Sequence, residues 1–216
     1  KYNIEYFNKN ISDISKISWS IKSIKIFTEN FIDNEILNFS DSDKGVFSII
    51  LNHRLYKQLD HELKKSKFFS YKKNINYNDL NKKDYKLIID CDANHEITKK
   101  FFSQKLEKKY NSIAYTTVLK HKKISSNSTA TQIFTNYGPI AFLPISNIKT
   151  SVVYSIRKNN RNEKNIIDLI KKFNPKYEIE YINDLSLVEL KSSNLRKYYH
   201  NNILAFRDWL HRLHSL

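Results

Sequence analysis

Two clusters of residues in this sequence have the types and spacing to do chemistry. The first is Asp90-Cys91-Asp92, with Asn94 and His95 close behind. It closes the apolar run Tyr85-Lys86-Leu87-Ile88-Ile89, which reads as a buried strand of a layered sheet whose carboxyl end carries the two aspartates. Open sheets bind ligands at that end, so a carboxylate or its neighbouring amides can fix a hydroxyl or phosphate group there. The competing reading is an Asx-rich turn after a strand. His95 has no nucleophile placed beside it, which argues against catalysis. The second cluster is Arg207, Asp208, His211, Arg212 and His214. On a helix, Asp208, His211 and His214 would share one face. Three ligands on one short helix rarely converge on one ion, so no metal is expected. Asp208 suits the start of a helix after a strand over 202–206, accepting hydrogen bonds from backbone or from a ligand hydroxyl. Trp209 reads as packing.

A third segment is singular for its backbone. GPIAFLP (138–144) holds one of the chain's two glycines and two of its three prolines. Gly138 permits a positive φ or a close approach, and Pro139 and Pro144 remove donors on either side of an apolar run. A bend between strands and the backbone-lined wall of a ligand pocket account for it equally well.

The elements that must position these groups mix helices and strands. Ile21, Ile24 and Ile26, then Ile36, Leu37 and Phe39 after a polar turn, read as a hairpin or meander, and 46–51 as a short apolar run. A helix is expected over 52–66, capped by Asn52, with Leu55, Leu59 and Leu63 as its buried stripe. The stretch 97–109 reads as a short helix or irregular connection. Strands are expected over 112–119, 130–136, 140–143, 150–156 and 185–190, and a helix over 161–173. A two-part α+β architecture is the economical arrangement.

Composition narrows the function. The 216 residues are 40% hydrophobic, enough for one sizeable core or two small ones. A single cysteine, Cys91, excludes an internal disulfide and a multi-thiolate zinc site, and suggests an intracellular protein. No spanning helix or signal peptide is encoded, although the absence of Met and the opening Lys1 suggest a piece of a longer chain. The formal charge of +15 is almost all lysine, spread along the whole length, which speaks for a general bias rather than a nucleic-acid patch. Lys64, Lys65 and Lys67, and then Lys105, Lys108 and Lys109, lie on expected helices or their exits and read as solvated faces, with a weak attraction to anionic lipid. With glycine only at 45 and 138, neither a dinucleotide-binding G-x-G-x-x-G turn nor a P-loop is encoded.

Three stretches resemble flavin-dependent aromatic-ring hydroxylases, specifically the branch acting on prenylated phenols in ubiquinone biosynthesis. YKLIIDCDANHEITKKFF resembles the strand and turn of that family's Asp-Gly motif. The run from YNSIAYTTVL to NIKTSVVYSI resembles its substrate-domain sheet, with Thr129, Ala130, Gln132, Phe134, Gly138, Pro139, Ala141, Leu143 and Pro144 in place. NNILAFRDWLHRLHSL resembles the strand before its Gly-Asp motif. The resemblance implies a partial three-layer FAD-binding domain joined to an antiparallel substrate-domain sheet, as in para-hydroxybenzoate-hydroxylase-like flavoproteins. It divides the chain into substrate-domain strands and linker (1–51), partial FAD-binding domain (52–108), substrate sheet and helix (109–193) and a return to the FAD-binding part (194–216). It implies FAD and NAD(P)H as cofactors, with Asp208 on the ribityl chain, Asp92 or Cys91 as the acid of the Asp-Gly motif, Lys99 or Lys100 replacing an arginine, and Arg207 and His211 beside the cofactor. Gly138, Pro139 and Phe134 fall at the substrate pocket. The implied partners are a prenylated phenol or quinone precursor and the quinone-biosynthesis assembly. The implied place is cytoplasmic, peripheral on the inner face of the cell membrane, with no nucleic acid bound.

The departures count equally. The Asp-Gly motif has lost its glycine, Arg207 stands where the family has glycine, and the dinucleotide-binding turn is absent, so a fragment or degraded form without full activity is expected. The alternative is a noncatalytic α+β interaction or membrane-surface protein.

Overall fold

The computed structural model describes residues 2–31, 34–73, 75–81, 85–92, 94–157, 166–206 and 211–212. The helices are α1 (Tyr2–Asn10), α2 (Asn52–Lys64), α3 (Tyr77–Asn81), α4 (Glu96–Phe101) and α5 (Ile166–Lys172). The strands are β1 (Ser18–Ile21), β2 (Ser23–Thr28), β3 (Leu37–Ser40), β4 (Phe47–Ile50), β5 (Ile88–Asp90), β6 (Lys105–His121), β7 (Thr129–Thr135), β8 (Gly138–Ser146), β9 (Lys149–Arg157), β10 (Ile179–Ile182), β11 (Ser186–Leu195), β12 (Tyr199–His200), β13 (Ile203–Ala205) and β14 (His211–Arg212). They form two compact units, residues 1–69 with 113–188, and residues 70–112 with 189–216. The sequence-based boundaries differ: they assign α2 to the smaller part, whereas it groups with the larger.

In the larger unit the strands run β6-β9-β8-β7-β2-β3, with β10 also on β6. β10 and β6, β9 and β8, β8 and β7, and β2 and β3 are antiparallel, and β2 and β7 are a parallel pair from Ser23↔Thr129 to Thr28↔Phe134. Period-two alternation selects the core face. Ile140 and Phe142 of β8, and Val152, Tyr154 and Ile156 of β9, are buried together with Ile166, Ile170 and Phe173 in and just after α5. GPIAFLP is therefore a strand rather than a bend, with a register shift between Pro144 and Ser146.

A polar chain is sealed inside this unit. Tyr177 donates to Asn127 Oδ1 at 3.2 Å and Asn127 Nδ2 to Thr150 Oγ1 at 3.2 Å. His121 Nε2 lies 3.0 Å from that hydroxyl, and Nδ1 lies 2.8 Å from the Lys122 carbonyl. A carbonyl only accepts, so Nδ1 carries the proton and Nε2 takes the Thr150 hydroxyl proton. Every member is satisfied, which is what makes such a network tolerable in a core. Burial raises the Tyr177 hydroxyl pKa above its ordinary value, against the lowering effect of bonds to Thr150 and Asn127.

Four sequence expectations are corrected. Leu51, not Asn52, sits at the N-cap of α2, without a side-chain cap bond. No residue of that helix is fully buried, and Leu63 of the expected stripe is 50% exposed. The residues from Lys105 onward open the long strand β6, so Lys105, Lys108 and Lys109 lie on a strand and not on a helix or its exit. His211 and Arg212 pair with Asn194 and Ser193 of β11, so these two residues lie on a strand and not on the expected helix. Helix α1 and strand β10 had no counterpart in the sequence reading.

The smaller unit holds a three-stranded sheet in the order β12-β13-β5. β13 and β5 are parallel, Ile203↔Ile88 to Ala205↔Asp90, and β12 is antiparallel to β13. The two faces differ. Ile203 and Ala205 pack with Ile97, Phe102 and Leu195, joined by Ile88, and His200 stacks on Phe101 with centroids 4.1 Å apart. On the opposite face Ile89 and Tyr199 alternate with them and are exposed, as are Leu87 and Phe206 at the ends of that row.

Candidate functional site

The acidic strand end is built from β5, the turn after it and α4. Asp90 is buried, and both its oxygens are committed. Oδ1 accepts the Asp92 N–H at 3.2 Å, and Oδ2 lies 2.5 Å from Thr98 Oγ1, which is also 2.6 Å from the Asp92 carbonyl. Thr98 thus ties the strand end to α4. Asp92 is exposed, and its Oδ1 accepts the Asn94 N–H at 2.9 Å. That is the Asx turn weighed against a binding role. His95 caps α4: Nδ1 accepts from Ile97 N at 3.3 Å, and Nε2 lies 3.1 Å from the Ile75 carbonyl, so Nε2 carries the proton. A cavity of about 550 Å³ opens beside this strand end, lined by Ile75, Leu80, Ile88 and Ile97 together with Asp92 and His95. Its apolar lining with a few polar groups is the usual make-up of a small-molecule site.

The second strand arrives at the same edge. Ala205 stands opposite Asp90, and the Phe206 N–H bonds the Asp90 carbonyl at 2.9 Å. The two parallel strands therefore end together, and the chain passes from that end into Arg207 and Asp208. Arg207 and Asp208 themselves lie outside the described residues, as do His214 and the side chain of His211.

Phe134, Gly138 and Pro139 come together in the larger unit, at the β7–β8 hairpin. Phe134 pairs with Pro139 and Thr135 with Gly138. Gly138 has φ +141°, and a Cβ there would meet the Ser155 carbonyl oxygen at 2.0 Å. Only glycine fits that approach of β8 to β9. Thr135 Oγ1 accepts from the Tyr137 and Gly138 amides and lies 3.0 Å from the Tyr154 hydroxyl, whose pKa burial raises. Glu29 clasps the same hairpin, accepting from Asn136 N at 2.9 Å and Lys172 Nζ at 3.0 Å. These bonds hold its carboxyl below the usual pKa, the Asn136 amide contributing most. Sequence reasoning missed Thr98 and Glu29; Thr98 acts on Asp90, eight residues before it, and Glu29 through Asn136 and Lys172, far along the chain, which no local motif announces.

No model of a known protein family matches the chain, and no curated protein matches it in sequence. Solved structures do. The chain is similar to CmlS, a flavin-dependent halogenase, with a TM-score of 0.64 and 12% identity over 97% of this chain and 44% of that one. It is similar to 2-methyl-3-hydroxypyridine-5-carboxylic acid oxygenase at TM-score 0.60 and 7% identity, over 92% of this chain and 60% of that one. Against tetracycline destructase Tet(51) the values are 0.51 and 11%, over 97% and 61%. The fold is of the para-hydroxybenzoate-hydroxylase type. The chain spans less than two thirds of the length of each of these proteins. The likeness is to the broad class of flavin-dependent hydroxylases and halogenases, and it does not single out the ubiquinone branch.

Do the described residues fit FAD? Asp92 does in part, being an exposed carboxylate at the carboxyl end of a parallel strand, able to accept from a polyol hydroxyl. The pyrophosphate has no such partner among the described residues. It needs closely approaching backbone amides, and both glycines, Gly45 and Gly138, belong to the larger unit. Asp90 is sealed by Thr98. The described residues thus supply one carboxylate able to accept from a polyol hydroxyl and no cradle for a pyrophosphate. Among them no group of three metal-ligating side chains occurs, and no helix is long and apolar enough to cross a membrane.

Proposed function

We propose that the protein is an FAD-dependent monooxygenase, or a relative that has lost the reaction, hydroxylating a prenylated phenol in ubiquinone biosynthesis with NAD(P)H as reductant. The observation that carries this reading is the parallel β13–β5 pair: its strands end together at Asp90 and Phe206, and its other face is bare. Parallel sheets are ordinarily covered on both faces. The bare face suits the remainder of a dinucleotide-binding domain in the whole protein, which agrees with the share of the flavoproteins that this chain spans. FAD would supply the oxygen chemistry. On this reading Asp92 and Asp208 hold the ribityl hydroxyls, with Arg207 and His211 beside them. Gly138, Pro139 and Phe134 belong to the substrate side. The substrate dissolves in lipid, so the protein works at the inner membrane surface, alongside the quinone-biosynthesis assembly.

The noncatalytic reading is favoured by one observation, the commitment of Asp90 to Thr98 and the Asp92 amide. An azido analogue of FAD, photolysed with the protein and mapped by peptide mass spectrometry, separates the two. Labelling concentrated in 88–97 and 203–212, and competed by FAD, is the expected result. Labelling scattered over the lysines of both units would leave only the noncatalytic protein.

A further inference from the structure

Helix α2 ends in an unusual segment. Lys64-Lys65-Ser66-Lys67-Phe68-Phe69-Ser70-Tyr71-Lys72-Lys73 holds five lysines, three aromatic residues and no acid. Every residue from 63 to 73 is exposed, so the segment projects instead of lining a groove. Phe68 is 87% exposed and Tyr71 78%. Water does not favour such a phenyl group, and burying one side chain of this size gains about 1.5–3 kcal/mol. Nor is Phe68 on a loose tail. Ser66 N bonds the Leu63 carbonyl at 3.0 Å, Phe69 N the Ser66 carbonyl at 3.1 Å, and Phe68 N the Ser66 hydroxyl at 3.3 Å. The Lys67 ammonium lies 5.1 Å from the Phe68 ring centre. Upstream on α2, Tyr56 and Leu63 stand seven residues apart, about two turns, and both are exposed, with Lys57 and Lys64 next to them.

We propose that this projection docks on an anionic lipid surface, Phe68 entering the headgroup boundary while Lys64, Lys65, Lys67, Lys72 and Lys73 meet the lipid phosphates and carboxylates. Charge complementarity selects the partner: an acid-free cationic segment on a chain of net charge +15. The side chains select lipid over nucleic acid. Specific phosphate and base contacts favour the forked guanidinium of arginine, and this segment has only lysine. Apolar and aromatic groups flanked by lysines are the make-up of interfacial anchors. Lys64 pairs with Asp60 at 2.6 Å and Lys65 with Glu62 at 2.8 Å, but exposed pairs of this kind are weak and exchange readily for lipid. The inference does not depend on the hydroxylase reading.

Co-sedimentation of the protein with phosphatidylcholine vesicles, with and without phosphatidylserine, tests it. Binding is expected only where phosphatidylserine is present, falling with salt. Phe68→Ser should weaken it about tenfold, and Lys67→Gln, Lys72→Gln and Lys73→Gln together about a hundredfold. All these positions are exposed, so the melting curve should not move. Phe39→Ser, at an exposed phenylalanine elsewhere on the larger unit, serves as the control and should bind as the native protein does. No binding to phosphatidylserine vesicles, or a Phe68→Ser protein that binds as well as native, overturns the proposal. So does a Phe68→Ser defect confined to a single-stranded oligonucleotide.

Discussion

The larger unit closes its sheet over a continuous core and seals a satisfied polar chain within it, whereas the smaller unit covers one face of a three-stranded sheet and leaves the other bare. Both faces of the small sheet are apolar, so the difference lies in what is packed on them and not in the strands' own composition. On the covered side, Ile203 and Ala205 meet Ile97 and Phe102 of the α4 region. On the bare side, Ile89 and Tyr199 are more than half exposed. Stability therefore resides in the larger unit. The smaller one holds the strand ends where ligands gather in open sheets, so the candidate site lies in the less stable part.

The contrast can be broken first in the larger core. Phe142→Ala removes a fully buried ring and should cost about 3–5 kcal/mol, read from denaturant unfolding; a loss no greater than that of a surface substitution would mean that the core on β8 and β9 is not the main source of stability. Gly138→Ala comes next. Its methyl would press on the Ser155 carbonyl, which is backbone and cannot swing aside, for a loss of about 2–3 kcal/mol. Wild-type stability there would show that the β8–β9 approach is looser than described.

In the smaller unit, Thr98→Val deprives the buried Asp90 carboxylate of its hydroxyl partner at a cost of about 1–3 kcal/mol. Faster amide exchange confined to 90–98, with the main unfolding transition unmoved, is the expected signature. The smallest effect is electrostatic. The Glu29 carboxyl has a folded-state pKa below its ordinary 4.5, because the Asn136 amide and Lys172 favour the charged form. Its stabilisation is complete above 4.5 and disappears as pH falls through the folded value. Glu29→Gln should flatten that acid limb slightly and leave the neutral-pH melt almost unchanged.

Much of this arrangement is legible in local sequence. Period-two alternation places β8 and β9, and the compact LIID run places β5 with its acidic exit. Other features are not. Prolines 139 and 144 suggest a bend, yet β8 accommodates both, Pro139 at its start and Pro144 at a register shift. The leucines of α2 predict a buried stripe, but helical spacing fixes only which residues share a face and not how deeply that face is covered. The lysines at 105–109 look like a helix exit because strand formation there depends on pairing with β11, far along the chain. The parallel register of β13 with β5 ends at Ala205, and Arg207 and Asp208 lie outside the described residues.

Amide hydrogen exchange on the 216-residue chain, with and without FAD, tests the asymmetry most directly. The account predicts slow exchange for 113–119, 140–143 and 150–156, distinctly faster exchange for 88–90 and 203–206, and slowing by FAD confined to the latter. Equal protection of the two groups without ligand, or slowing by FAD spread evenly over both, would contradict it.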